Sequence, residues 1–158
     1  MYKPHLTLDS IYVSRLKPMS NGLYELKNDA ELKATPVPLT QSVLMDELAK
    51  VLLTTRSFRV EDVALRVGVP SQKLTVCVQV MFGCTLNALI EAYQKRLMLD
   101  LVRCTQLSPE DVAQNCGFAG TKSMYNHFTR HEEKTFFAYR AEHQVHRRVS
   151  ATDVYEIK

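Results

Sequence analysis

The sequence predicts an all-α fold. Two helix-turn-helix units are joined by one long linker helix and preceded by a short N-terminal arm with the signal of a β-hairpin. Three observations lead there. From Thr40 onward apolar residues recur at helical spacing. A long amphipathic stretch occupies residues 86–102. A nine-residue pattern, residues 61–69, returns at residues 110–118.

The elements follow in chain order. In the arm, Leu6, Leu8, Ile11 and Val13 alternate with polar residues, and Leu23-Tyr24-Glu25-Leu26 follows Ser20-Asn21-Gly22. An Asn-Gly step between alternating segments signals a hairpin, because both residues tolerate positive φ. A hairpin alone is marginal in water, so the arm packs on the body, pairs with another chain or stays mobile. Pro36 and Pro38 close it, which sets the arm at residues 1–39 and a bipartite helical domain at 40–148. Residues 149–158 remain as a tail.

Val43, Leu44, Leu48, Val51 and Leu52 mark the first helix, with Thr40 or Ser42 as its N-cap. The first unit covers about residues 40–83, the linker helix 85–105 and the second unit 108–140. Leu86, Leu89, Ile90, Tyr93, Leu97, Leu101 and Val102 line the linker helix, with Met98 and Leu99 widening its apolar surface. A helix apolar over so many turns is expected to be sandwiched between packed units.

The repeat carries most of the information. Glu61-Asp62-Val63-Ala64 and Glu110-Asp111-Val112-Ala113 are each followed by three variable residues, a Gly and an apolar residue, at an offset of 49. Lys73 and Lys122 keep that offset. Acidic residues suit a helix start, because they face the positive end of its dipole. Val and Ala face inward, and the Gly ends the helix with a positive φ. Val69 or Phe118 then plugs the turn, and a second helix begins within a few residues. In the second copy Ser108 is a natural N-cap and Pro109 suits the first helical position.

Composition removes other classes. The 158 residues carry a net charge of +3, with 46% hydrophobic residues, 5 Gly and 6 Pro. That describes a folded globule and permits a nucleic-acid partner without requiring one. No apolar stretch approaches the ~18 residues of a membrane span, and no secretory signal is read at the start. Cys77, Cys84, Cys104 and Cys116 show no C-x-x-C spacing and sit among aliphatic neighbours, as buried thiols of a reducing cytoplasm do. His127 with His131, and His143 with His146, share helix faces, but no further ligand completes a zinc site. No Walker loop, dinucleotide-binding motif or nucleophile elbow occurs, so neither enzyme nor cofactor is expected.

From about residue 41 to 140 the chain resembles the DNA-binding domain of the AraC/XylS family of bacterial transcription regulators. Ala64, Gly68, Ser71, Leu74 and Gly83 in the first unit fall at the family's spacings. Gly117-Phe118, Phe128, Thr135 and Tyr139-Arg140 do so in the second. The resemblance implies that the second helix of each unit lies in a DNA major groove, the two entering successive segments roughly 34 Å apart. The first recognition helix is expected over residues 70–81, with Leu74, Cys77 and Val78 inward and Ser71, Gln72, Lys73, Thr75, Val76 and Gln79 outward. The second is expected over residues 121–131, with Met124 and Phe128 inward. Its outward residues are Thr121, Lys122, Ser123, Tyr125, Asn126 and Thr129, with Arg130 placed for a phosphate.

Several positions depart from the family pattern. Val76 and Asn126 stand where Arg is usual, Val78 where an aromatic is frequent and Gln94 where Arg is common. Glu133 replaces a Gly and Phe136 a Pro. Valine cannot donate to guanine but can touch a thymine methyl, and asparagine can pair with adenine. Residues 140–148, including Arg147-Arg148, form a basic segment that suits phosphates or a solvated helix end.

The expected partner is double-stranded DNA, for a cytoplasmic, nucleoid-associated regulator. RNA polymerase, a regulatory partner protein and homodimerisation through the arm are further candidates. The arm is shorter than the effector-binding barrels of many family members, so control by abundance or by a partner is implied. The competing reading is a degenerate helix-turn-helix kept as a protein-interaction module, motivated by Val76, Glu133 and the weak net charge.

Overall fold

The computed structural model describes residues 6–20 and 22–144. Among them the chain runs through α1 (Leu8–Ile11), β1 (Leu16–Pro18), β2 (Tyr24–Leu26), α2 (Asp29–Ala34) and α3 (Val43–Thr54). It continues through α4 (Val60–Val67), α5 (Ser71–Phe82), α6 (Leu86–Cys104), α7 (Pro109–Asn115), α8 (Thr121–Glu132) and α9 (Phe136–His143). These elements divide into two compact units, residues 6–15 with 28–96 and residues 16–27 with 97–144. The division falls inside α6, which gives its first half to one unit and its second to the other. No single described helix is long and apolar enough to cross a membrane.

In the first unit Ser42 caps α3 by accepting from the Met45 N–H at 3.2 Å. The buried residues of α3 are Met45, Leu48, Ala49, Val51, Leu52 and Leu53, whereas Val43 is exposed. Val43 is the first residue after the cap, where the helix has only begun to turn toward the core. Val63 and Ala64 of α4 and Leu74 and Val78 of α5 close over this helix, with Leu86, Ile90 and Tyr93 of α6. Each of the larger aliphatic side chains among them stabilises the fold by roughly 1.5–3 kcal/mol on burial.

The arm residues 6–15 pack on this unit. The run read as alternating instead forms the helical turn α1, because Leu8 and Ile11 are three apart and Ile11 is fully buried. The Leu6 N–H donates to the Met81 carbonyl at 3.1 Å. The Tyr12 ring lies 4.9 Å from that of Tyr93. Arg96 sits over Tyr12 at 4.6 Å and pairs with Asp9 at 2.8 Å. Arg15, only 3% exposed, points its guanidinium at the end of α3. Its Nη2 donates to the carbonyls of Leu52 and Thr55 at 2.7 and 2.9 Å.

The hairpin forms later than the alternation suggested. β1 and β2 pair antiparallel in the register Leu16↔Leu26, Lys17↔Glu25, Pro18↔Tyr24. Gly22 takes φ 84° in the turn, while its neighbour Asn21 lies outside the described residues.

In the second unit Ser108 caps α7 by accepting from the Asp111 N–H at 3.2 Å, with Pro109 at the first helical position. Val112, Ala113, Cys116, Met124, Phe128, Phe136 and Tyr139 form the core with Leu97, Met98, Leu101 and Val102. Arg140, expected in a segment suited to phosphates or a solvated helix end, is turned inward. Its Nε donates to the Val102 carbonyl at 3.0 Å and its Nη1 to that of Leu107 at 2.7 Å. Phe136 lies under the guanidinium at 4.8 Å. Gln144 Nε2 donates to the carbonyls of Arg103 and Thr105 at 2.8 and 3.0 Å. Arg147 and Arg148 lie outside the described residues.

Of the four cysteines only Cys116 is buried, while Cys77, Cys84 and Cys104 are half-buried, which corrects the uniform reading. Burial pushes the Cys104 thiol up to about 11, with Asp100 adding to the rise and Arg103 opposing it.

Two outcomes follow. Arg15→Ala leaves two carbonyls without their charged donor and should lower stability by about 2–4 kcal/mol in urea unfolding. An unchanged midpoint would show that water replaces the guanidinium. Peptide-mapped iodoacetamide labelling of Cys104 should be slow at pH 8 and climb toward pH 11. Because the folded-state value is raised, its contribution to stability is complete below the ordinary thiol value of 9.0 and lost as pH rises to about 11. Fast labelling at pH 8 would contradict the burial.

Candidate nucleic-acid interface

The interface is built from the two helix-turn-helix turns. α4 ends where Gly68, at φ 93°, donates its N–H to the Ala64 carbonyl at 2.9 Å. α7 ends differently. Gly117, at φ 77°, donates to Gln114, and Phe118 reaches back to Ala113 at 2.9 Å. That pair of bonds is a Schellman motif, whereas Gly68 makes the simpler single-bond ending. Both need a residue free to adopt positive φ. Val69 and Phe118, expected to plug the turns, are only half-buried, and the Phe118 ring rests 5.3 Å from that of His127.

The two endings differ in length, and this changes the correspondence between the heads. α4 and α7 match at the offset of 49 read from sequence, but α5 and α8 match at 50. Leu74 and Val78 bury as Met124 and Phe128 do. Thr75 and Tyr125 are half-buried, as are Cys77 and His127. Lys73 therefore corresponds to Ser123, and Lys122 to Gln72, so the shared offset of the two lysines is not structural equivalence. The register continues downstream. Thr85 caps α6 through the Ala88 N–H at 3.0 Å, and Thr135 caps α9 through that of Ala138 at 3.1 Å.

On α8 the exposed face carries Lys122, Ser123, Asn126, Thr129 and Arg130, with Thr121 half-buried at its start. Tyr125 packs its ring against Phe136 and Phe137 at 6.1 and 6.4 Å. Only part of it is left to face a partner. On α5 the exposed face carries Ser71, Gln72, Lys73, Val76 and Gln79, with Thr75 half-buried. Lys73, Lys122 and Arg130 form no ion pair among the described residues. Their charges are therefore unneutralised. Neither helix has a side-chain N-cap, so the first-turn N–H groups stand open as donors.

Sequence reasoning missed Val80. It is exposed, one turn beyond Val76, at the position that Arg130 holds in α8. The signal was available in the four-residue spacing from Val76, once the offset of 50 is used. Among the described residues no three His, Cys, Asp or Glu side chains converge as metal ligands.

The arrangement is a two-headed helix-turn-helix, each head offering one exposed helical face. No family model matches the chain, and no curated protein does. Solved structures share its fold. It resembles the xylose-binding transcription activator xylR at 22% identity and TM-score 0.55, over 67% of this chain and 28% of that one. It is similar to the DNA-binding domain of AdpA, a global transcriptional factor solved in complex with a target DNA, at 23% identity and TM-score 0.54. That likeness covers 63% of this chain and 90% of the AdpA domain. It also resembles the C-terminal domain of the two-component response regulator yesN from Fusobacterium nucleatum, at 15% identity and TM-score 0.54. There it covers 63% of this chain and 99% of the other. At these identities the likenesses establish the fold, the one that the resemblance implied. The chain spans only about a quarter of the xylR chain.

One strained position closes the second head. Glu133 ends α8 at φ 57°, where Gly83 ends α5 at φ 76°. A side chain in that region costs about 1–2 kcal/mol, partly offset by the extra freedom glycine has when unfolded. Glu133→Gly should therefore raise stability by about 0.5–1 kcal/mol. Glu133→Ala, which removes the carboxylate and keeps the strain, should not. Equal gains in both variants would place the effect in the charge.

Proposed function

We propose that the chain binds double-stranded DNA sequence-specifically, as a transcription regulator of the AraC type acting in the bacterial cytoplasm. In this reading residues 40–148 form the DNA-binding domain, and α5 and α8 each enter a major-groove segment. The observation that carries it is the exposed face of α8. Asn126 and the hydroxyl residues Ser123 and Thr129 are exposed on it together with Lys122 and Arg130, which form no ion pair among the described residues. Amide and hydroxyl groups suit base edges, and flanking cations suit phosphates. The likeness to a domain solved on its target DNA supports the same reading.

RNA polymerase or another regulatory protein would be the second partner of such a regulator, and homodimerisation through the arm a further element of control. The burial of Ile11 and Arg15 shows that residues 6–15 serve the chain's own fold. The reading of the fold as a protein-interaction module draws on the exposed Val76 and on Glu133.

Titration of a labelled genomic DNA pool at two salt concentrations should show binding that weakens steeply with salt, by about 0.9 logarithmic units per phosphate contact for each tenfold rise. Negligible binding at both concentrations would sink the proposal. On a selected duplex, Asn126→Ala should cost about 1–3 kcal/mol at one base position and relax preference there. A uniform loss across sequences would remove Asn126 from the reading set.

A further inference from the structure

The two heads present the same helical positions with different chemistry. At the third and fifth of these, α8 carries Asn126 and Arg130, both able to hydrogen-bond. α5 carries Val76 and Val80, exposed by 59% and 48%. Neither valine can donate or accept. They stand one turn apart on one face, with Lys73 and the amides of Gln72 and Gln79 on the same exposed surface. The helix α5 contains no acidic residue at all. Its exposed face is therefore an apolar stripe beside one cation and no acid of its own helix, at the positions that are polar in the second copy.

Resting on the DNA-binding reading, we infer that Val76 and Val80 read thymine C5-methyl groups, so that the first head selects an A·T-containing half-site by apolar contact. The second head selects its half-site by hydrogen bonding. Of the four bases only thymine presents a methyl in the major groove. The four residues from Val76 to Val80 rise about 6 Å along the helix, and stacked base pairs about 3.4 Å. The pair thus covers one to two base steps. A valine buried against a methyl loses its water contact at no hydrogen-bonding cost, whereas against the donor or acceptor edge of G·C it would strand polar groups. The exposed glutamines remain to serve adenine on the opposite strand.

The test uses the full chain and the duplex it selects from a random pool. Each thymine is replaced singly by deoxyuridine, which removes the methyl and leaves every hydrogen-bonding group. One or two replacements, confined to one half-site, should weaken binding about three- to fivefold each. In the Val76→Ala, Val80→Ala double variant the same replacements should have no effect, while binding to the unmodified duplex falls. Both positions are exposed, so the variant should fold, and its far-ultraviolet circular dichroism should match the parent.

A chain that selects a duplex but ignores every deoxyuridine replacement overturns the inference and leaves DNA binding standing. Replacements that act equally on parent and double variant overturn it too, by placing the methyl contact elsewhere. If the double variant loses self-association in sedimentation while its duplex affinity is unchanged, the stripe is a protein-docking face and the inference fails. Failure to select any duplex would overturn the DNA-binding reading, and this inference with it.

Discussion

A helix that ends inside a protein leaves its last carbonyls without helical partners, and a guanidinium meets that demand in both units. Arg15 holds the end of α3 through Leu52 and Thr55, and Arg140 holds the end of α6 through Val102 and Leu107. The helix-turn-helix of each unit starts only a few residues later, so the direction in which α4 or α7 departs depends on how that end is pinned. Burial holds the Arg140 side chain below its ordinary pKa, yet a guanidinium remains charged at any physiological pH. The cap is therefore indifferent to pH across the working range.

The source of the arginine differs between the copies. At the position of Arg140 the first unit has Ile90, fully buried in α6. The guanidinium comes instead from the arm, through a chain path that brings in Ile11, Tyr12 and the Asp9–Arg96 pair. A linker-like sequence thus becomes part of the first head. The exposed faces, by contrast, carry little of the folding energy. Leu74, Val78, Met124 and Phe128 set the rotation of α5 and α8, and the residues between them are free to diverge.

Much of this was legible in the sequence because it is written in side chains. The inward Val-Ala pairs, the Ser108–Pro109 helix start and the four core residues of the recognition helices follow from periodicity and capping chemistry. The arginine caps were not legible, since their acceptors are backbone carbonyls and leave no mark in composition. Arg140 reads in the sequence as a phosphate ligand or part of a solvated helix end, because a cation in a basic run looks exposed until its neighbours are known. Lys73 and Lys122 appeared equivalent because gapless comparison cannot see a turn lengthened by one residue. Val80 passed for an ordinary apolar residue. Whether a helical valine faces in or out depends on a rotation fixed by partners elsewhere in the chain.

The uneven turns have a consequence for how such a protein diverges. The extra residue of the second copy falls in the turn between helices, while α7 keeps the register of α4 and α8 that of α5. The exposed positions of α5 and α8 therefore form interchangeable sets, each carried on the same pair of buried anchors. A head can acquire a new partner preference by exchanging a handful of surface letters, with no loop rebuilt and no core residue touched. The repeat thus carries two independent alphabets on one grammar.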